Sequence, residues 1–179
     1  MHDFAAHQNQ RSLISITRKG IDDQSIQGFV IAASDELVLL QYVYDFRLDG
    51  LMVLAVSDIT EVRRTATDRF QQTLLAAEGL LEQVPFGLSI NLKNWRSAIS
   101  DLASRYSLLI LECERLEEPD FAIGRVLKVA RDDVRLEYFS GAANWDETPV
   151  RLRYKEITSC QAGTNYINVY QRHFARIAA

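Results

Sequence analysis

The chain has 179 residues, 47% of them hydrophobic and 25% charged, which is the composition of an ordinary globular protein. Its formal net charge of -4 and pI of about 5.4 argue against a general polyanion binder, which usually carries a dense basic surface. No apolar run approaches the roughly 18 residues of a transmembrane helix, so we expect no membrane span and a cytoplasmic location.

Five short strands are predicted in the first third of the chain. They cover residues 12–18, 26–33, 37–44, 51–56 and 59–64. Gly28 lies inside the second strand, where a glycine indicates a bulge or a sharp bend. Because the intervening turns leave no room for crossover helices, the pattern favours an antiparallel barrel or sandwich.

Two helices are predicted next. Thr65 and Asp68 have the spacing of a helix-capping box, and apolar residues then recur at helical spacing, which predicts a helix over 66–83 with one apolar face. That face contains Phe70, Leu74, Ala77 and Leu81. A second helix is expected to begin near Asn91 or Asn94 and to end by residue 106.

The strand pattern then starts again. Strands are predicted over residues 107–115, 121–130, 134–139, 150–155 and 157–161, followed by a closing helix. Gly28 matches Gly124, 96 residues later, and Ile59 matches Ile157, 98 residues later. A slow drift of this kind is what duplication followed by small insertions produces, so we expect an internal repeat.

Both copies share a glycine, a hydrophobic residue, an acid and a leucine in the same order. These are Gly28-Phe29-Val30, Asp35 and Leu39 in the first copy, and Gly124-Arg125-Val126, Asp132 and Leu136 in the second. This order resembles the first motif of the Sm-like family, whose fold is a five-stranded SH3-like barrel. The resemblance implies a mainly β (α+β) fold of two tandem barrels with connecting and C-terminal helices.

The expected domains are a first barrel over residues 1–65, a helical connector over 66–106 and a second barrel with its closing helix over 107–179. The chain departs from the family where binding to RNA is concerned. Ser57-Asp58-Ile59-Thr60 replaces the glycine-containing second motif, and Val38 and Arg135 occupy the neighbourhood of the RNA-binding asparagine. With the acidic pI, these departures disfavour nucleic acid as a partner.

The loops after each third strand are the candidate binding sites, because both are rich in aromatic residues and contain acids. The candidate residues are Tyr44, Asp45, Phe46, Arg47 and Asp49 in the first loop, and Asn144, Trp145 and Asp146 in the second. Rigid aromatic side chains give contact area at a low entropic cost. The alternative is that these aromatics pack the barrel ends against the helices.

No catalytic, cofactor-binding or metal-binding constellation is predicted. His2, His7 and His173 lie near the two ends of the chain, and Cys113 and Cys160 lie in predicted strands as small buried hydrophobes. No phosphate-binding loop or nucleophile-elbow motif occurs in the sequence.

The sequence thus favours a non-catalytic binding or scaffolding module. We expect it to recognise a protein partner, or to self-associate as a dimer through barrel edges and the aromatic loops. Two alternatives stay open, an Sm-like RNA-binding protein and a small enzyme with a site between the barrels.

Overall fold

A computed structural model describes residues 2–118 and 120–177 of the chain. The chain divides into two compact units, unit 1 (residues 1–93) and unit 2 (residues 94–179). The described part contains ten strands and four α-helices, and neighbouring strands within each unit are antiparallel. The expectation of a mainly β fold is therefore confirmed.

Unit 1 has a helix at each end of its five strands. The elements are α1 (Phe4–Asn9), β1 (Leu13–Thr17), β2 (Ile26–Ala33), β3 (Leu37–Tyr44), β4 (Arg47–Ala55), β5 (Glu61–Arg63) and α2 (Ala66–Ala77). The strand order across the sheet is β5-β1-β2-β3-β4.

Unit 2 repeats this succession of elements. They are α3 (Trp95–Ala103), β6 (Leu109–Cys113), β7 (Asp120–Val129), β8 (Asp133–Tyr138), β9 (Val150–Arg153), β10 (Ser159–Ala162) and α4 (Asn165–Ile177). The strand order is β10-β6-β7-β8-β9, so the fifth strand again pairs with the first.

Equivalent hydrogen bonds occur within each of the two units. In unit 1 the amide of Thr60 donates to the carbonyl of Thr17 at 2.9 Å, and in unit 2 the amide of Thr158 donates to that of Glu112 at 2.8 Å. Each threonine hydroxyl donates to the same carbonyl, at 3.0 Å in both units. The second and third strands of each unit shift register at matching bulges, after Val30 and after Val126.

Closure into barrels is not observed. Among the described residues of unit 1, β5 pairs with β1 and no pairing joins it to β4. In unit 2, β10 pairs with β6 and no pairing joins it to β9. Each five-stranded set is therefore open, and neither the two closed barrels nor their origin by internal duplication is confirmed.

The sheet of unit 1 is buried on both faces. One face and α1 form a hydrophobic cluster of Phe4, Ile14, Ile16, Val30, Val38, Leu40, Met52, Leu54 and Ile59. The other face carries Leu37, Leu39 and Val53, which are also buried. On β2, Phe29 meets the ring of Phe86 edge-on, with the ring centroids 6.0 Å apart.

The core of unit 2 lies between its sheet and α4. Buried Leu108, Ile110, Ile123, Phe139 and Ile167 form its centre. Along β8, Val134 and Leu136 are buried while Arg135 between them is exposed, as the alternating sequence predicts. One face of this strand therefore remains polar and accessible.

Helix α2 begins where the sequence predicts, and its apolar residues Phe70 and Leu74 are exposed. The capping box of Thr65 and Asp68 is confirmed, but the helix ends at Ala77, before Gly79 with its φ of +69°. Asp68 and Leu75 face the sheet, whereas Phe70 and Leu74 are exposed. Most of the predicted apolar face is therefore exposed, because the helix is docked to the sheet through polar contacts of Asp68.

The Asp68 carboxylate accepts four hydrogen bonds. Its Oδ1 accepts from the Ser15 hydroxyl at 2.7 Å and the Gln27 amide at 2.9 Å. Its Oδ2 accepts from the Thr65 amide and hydroxyl at 2.6 and 2.7 Å. Burial alone would raise the pKa of Asp68, but these hydrogen bonds outweigh it and hold the pKa below its ordinary value.

None of the four helices in the described part has the length and apolar character needed to cross a bilayer.

We expect Asp68→Asn to lower stability by about 2 kcal/mol at neutral pH, because the carboxylate bonds are lost or weakened. A carboxylate with a lowered pKa stabilises the fold above about pH 4, and that stabilisation is lost as the pH falls further. Urea unfolding at pH 7 and pH 3 should therefore show a smaller difference between variant and wild type at the lower pH. Exposed Asp23→Asn is the control, and an equal difference at both pH values would contradict the role given to Asp68.

The two strand glycines predict a graded response to a methyl group. A Cβ on Gly124 would lie 2.0 Å from the backbone oxygen of Glu137, and one on Gly28 would lie 2.8 Å from that of Gln41. We expect Gly124→Ala to cost about 3 kcal/mol and Gly28→Ala about 1 kcal/mol in urea unfolding. Gly87→Ala, in open space, serves as the control. Equal losses at 28 and 124 would show that the backbones are not held at these distances.

Candidate functional site

The first candidate loop is a tight hairpin turn. Tyr44 pairs with Arg47, which leaves Asp45 and Phe46 as a two-residue connection between β3 and β4. Both have positive φ, 46° and 60°, the arrangement of a type I′ turn, whose twist matches that of the flanking strands. The loop expected over residues 45–50 is therefore two residues long, and β4 begins earlier than predicted.

Phe46 is an unfavourable residue for this turn. Left-handed backbone costs a residue with a side chain about 1–2 kcal/mol, and glycine is the usual choice at this position. The Phe46 side chain is 49% exposed, so only about half of its surface is buried to offset this cost. Strained residues of this kind cluster at functional sites, which makes the turn the first place to look for one.

A groove of about 450 Å³ lies beside the turn. Its lining, which we name the hairpin surface, consists of Asp45, Phe46, Arg47, Leu74, Leu75, Glu78 and Leu80. Leu74 is 37% exposed, and Phe70, one helical turn earlier on α2, is 64% exposed. An apolar floor with acidic and basic residues at its margin is the typical composition of a protein-binding patch.

The other candidate residues of the first loop lie outside the hairpin surface. Tyr44 is 64% exposed and, with Asp45, lines a more polar groove of about 690 Å³ that also contains Tyr42 and Asp22. Asp49 is half-buried on β4. Asp45 therefore belongs to both grooves.

In unit 2, Trp145 is a packing residue. Its ring lies 5.0 Å from that of Phe139 and 4.8 Å from that of Phe174, measured between centroids. The guanidinium of Arg125 stacks over the ring at 4.2 Å from its centroid, a cation–π contact. The side chain is thus partly buried against the unit 2 core, as the packing alternative in the sequence predicts.

Asn144 and Asp146 hold the same loop in shape. The carbonyl of Asn144 accepts from the amide of Ser140 at 2.9 Å, and the carboxylate of Asp146 accepts from the amide of Thr148 at 2.8 Å. Both side chains are exposed. Their polar contacts explain the loop conformation without any ligand.

Sequence reasoning missed the α2 side of the groove. Leu74, Glu78 and Leu80 belong to a segment in which apolar periodicity indicates a face but not its direction. The available signal was Asp68, because a capping-box acid that must also reach the sheet turns the opposite side of the helix outward.

Both cysteine thiols are buried and have raised pKa values. Burial, with smaller contributions from nearby acids, raises the pKa of the Cys113 thiol to about 12, and burial likewise raises that of Cys160. Both thiols are therefore protonated at neutral pH and unreactive. Within the described residues, no group of three or more His, Cys, Asp or Glu side chains is placed to hold a metal ion.

No family model, curated protein or solved structure matches this chain. The resemblance to Sm-like barrels therefore stays a sequence-based interpretation.

The two aromatic candidates should respond differently to truncation. Trp145→Ala removes three ring contacts and should lower the free energy of unfolding by about 2 kcal/mol. Phe46→Ala should change it by less than about 0.5 kcal/mol, because the side chain is exposed and the backbone strain stays. Urea unfolding followed by far-UV circular dichroism measures both. A loss of similar size in Phe46→Ala would assign Phe46 to packing instead of binding.

Proposed function

We propose that this protein is a non-catalytic binding module that recognises an apolar segment of a partner protein at the hairpin surface. The observation that carries the proposal is Phe46, an exposed aromatic residue held in left-handed backbone where glycine would cost less. Binding is the use of this residue that explains why the strain is kept.

The chemistry of the groove indicates how the partner binds. Phe46, Leu74 and Leu80 offer an apolar contact area that a leucine, methionine or aromatic side chain would fill. Asp45, Arg47 and Glu78 carry charges of both signs, so the margin attracts neither acidic nor basic segments as a class. Affinity should therefore come from apolar burial and should tolerate salt.

We also propose how the fold arose and where in the cell the protein is located. An internal duplication of an Sm-like or SH3-like five-stranded unit is supported by the equal strand order and by the matching Thr60 and Thr158 contacts. Free, buried Cys113 and Cys160 support a reducing, cytoplasmic setting.

Phe46→Gly separates stability from binding. Glycine relieves the left-handed strain and completes an Asp-Gly type I′ turn, so the variant should be more stable by about 1 kcal/mol. It also removes the apolar anchor, so partner capture should fall by at least about tenfold. Urea unfolding measures the first effect, and quantitative pull-down from native lysate measures the second.

A photo-crosslinking amino acid at position 46 identifies the contact directly. The matched control is the same amino acid at position 121, because Phe121 is 46% exposed and lies in unit 2. We expect a crosslinked polypeptide from position 46 only, unaffected by nuclease and by high salt. A crosslink to a second copy of this chain, an RNA adduct, or undiminished capture by Phe46→Gly would each contradict the proposal.

A further inference from the structure

Three cations stand side by side on the exposed face of the unit 2 sheet. Lys128 on β7 pairs in register with Arg135 on β8, which pairs in register with Arg151 on β9. All three are exposed. We name them the cationic row. Like charges directly opposite each other destabilise a sheet, so this arrangement has a cost.

The hydrogen-bond pattern brings two of these cations as close as a sheet allows. The amide of Tyr154 donates to the carbonyl of Asp132, which makes the facing residues Asp133 and Arg153 a non-hydrogen-bonded pair. Because the pattern alternates, Arg135 and Arg151 also form such a pair. Their Cα atoms are then about 4.5 Å apart, the closer of the two antiparallel spacings.

Among the described residues, one carboxylate, that of Asp133, forms ion pairs with the row. Asp133 is only 6% exposed, and its Oδ2 accepts from Arg151 Nε at 2.8 Å and lies 2.6 Å from the terminal NH2 of that guanidinium. Its Oδ1 lies 4.0 Å from Arg135 Nε and has no hydrogen-bond partner among the described residues. One carboxylate cannot neutralise three cations, so the row has excess positive charge.

Unit 1 shows that the fold does not require charge at these places. Its residues in the equivalent register are Ala32, Leu39 and Val53, and the last two are fully buried. The same sheet position is thus an apolar interior in unit 1 and an exposed cationic surface in unit 2. The fold therefore does not explain why three cations occupy these positions in unit 2.

The free edge of β9 borders the row. Among the described residues β9 pairs with β8 alone. Since Leu152 and Val150 form the hydrogen-bonded pairs with β8, the backbone N–H and C=O groups of Arg151 and Arg153 point away from it. Unpaired groups on an edge strand are a template for another strand.

The chain itself shows which chemistry this edge accepts. Glu156 forms an ion pair with the Arg153 guanidinium, and its carboxylate is also within reach of the Arg153 backbone N–H. Both contacts favour the charged form and lower the pKa of Glu156. A carboxylate at this edge therefore finds a cation and a backbone donor together.

We propose that an extended acidic segment of a partner protein adds to β9 as a further strand, with acids at alternate positions opposite Arg151 and Arg153. Backbone hydrogen bonds to the free edge provide the docking, and the cationic row provides the preference for acidic side chains. The one carboxylate of such a segment nearest Arg153 replaces that of Glu156.

The observations favour a polypeptide over the other candidates. A nucleic acid would satisfy the cations but has no ladder of N–H and C=O groups to match the edge. A second copy pairing antiparallel through its own β9 would set Arg151 and Arg153 opposite the same two cations. That approach sets like charges opposite each other.

Proline at position 153 tests the edge directly. The φ of Arg153 is -80°, which proline adopts, and the lost N–H points away from β8, so the fold should persist. Arg153→Gln is the matched control, because it removes the same charge and keeps the N–H. The probe is a fluorescein-labelled peptide of alternating glutamate and threonine, followed by fluorescence anisotropy. We expect Arg153→Pro to bind it about tenfold more weakly than Arg153→Gln.

Charge variants test the row. Lys128→Gln and Arg135→Gln should each weaken the peptide about threefold and reduce the salt dependence, while exposed Arg172→Gln on α4 should change neither. The same peptide with lysine in place of glutamate should not bind. All variants keep Phe46 and the hairpin surface, so a failure here is distinct from a failure of the proposed function.

Three results would overturn the proposal. The first is equal affinity of Arg153→Pro and Arg153→Gln for the acidic peptide, which would show that no strand is added. The second is tighter binding of a single-stranded oligonucleotide that competes with the peptide, which would make the row a phosphate site. The third is a concentration-dependent oligomer, seen by sedimentation, that Arg153→Pro dissociates, which would give the edge to a second copy.

Discussion

The close approach of two backbones at a glycine is the constraint on which both units depend. Any side chain on Gly124 would meet the backbone of Glu137, and Gly28 is in the same position against Gln41. Each glycine fixes the pairing of the second strand with the third, two residues before a bulge. Because a shift of one residue would exchange the two faces of a strand, this register decides which side chains are buried and which are presented.

The two units use one register for different surfaces. In unit 1 it places Leu39 and Val53 inside, so the positions that match Arg135 and Arg151 carry no accessible charge there. In unit 2 the same register places Arg135 and Arg151 outside, and the loop residue Trp145 packs against Phe139 of the core. The site proposed for unit 1 is apolar and local, whereas the one proposed for unit 2 is ionic and extends along a strand.

Local patterns made much of this fold predictable, and long-range choices did not. The alternation around Arg135 and the Thr65 cap are short-range signals that match the structure, whereas the bulge expected at Gly28 lies after Val30. Barrel closure depends on strands far apart in sequence, and the outward direction of Leu74 depends on contacts of Asp68 with the sheet. The type I′ turn at Asp45 and Phe46 could not be predicted from the sequence, because it lacks the glycine that usually marks such a turn. Of the eight candidate residues, Asp45, Phe46 and Arg47 line the groove of the hairpin surface.

Charge shows most clearly why composition cannot replace geometry. Unit 2 contains 12 Lys or Arg and 12 Asp or Glu, so its formal charge is zero. Pairing separates these charges, since Lys128, Arg135 and Arg151 line up across three strands while Glu112 turns to Ser159 and Gln161 on another part of the sheet. Within one Debye length, about 8 Å at physiological salt, a segment at β9 senses the row and not the net charge. The acidic total that argues against a polyanion surface is thus compatible with a local site for acids.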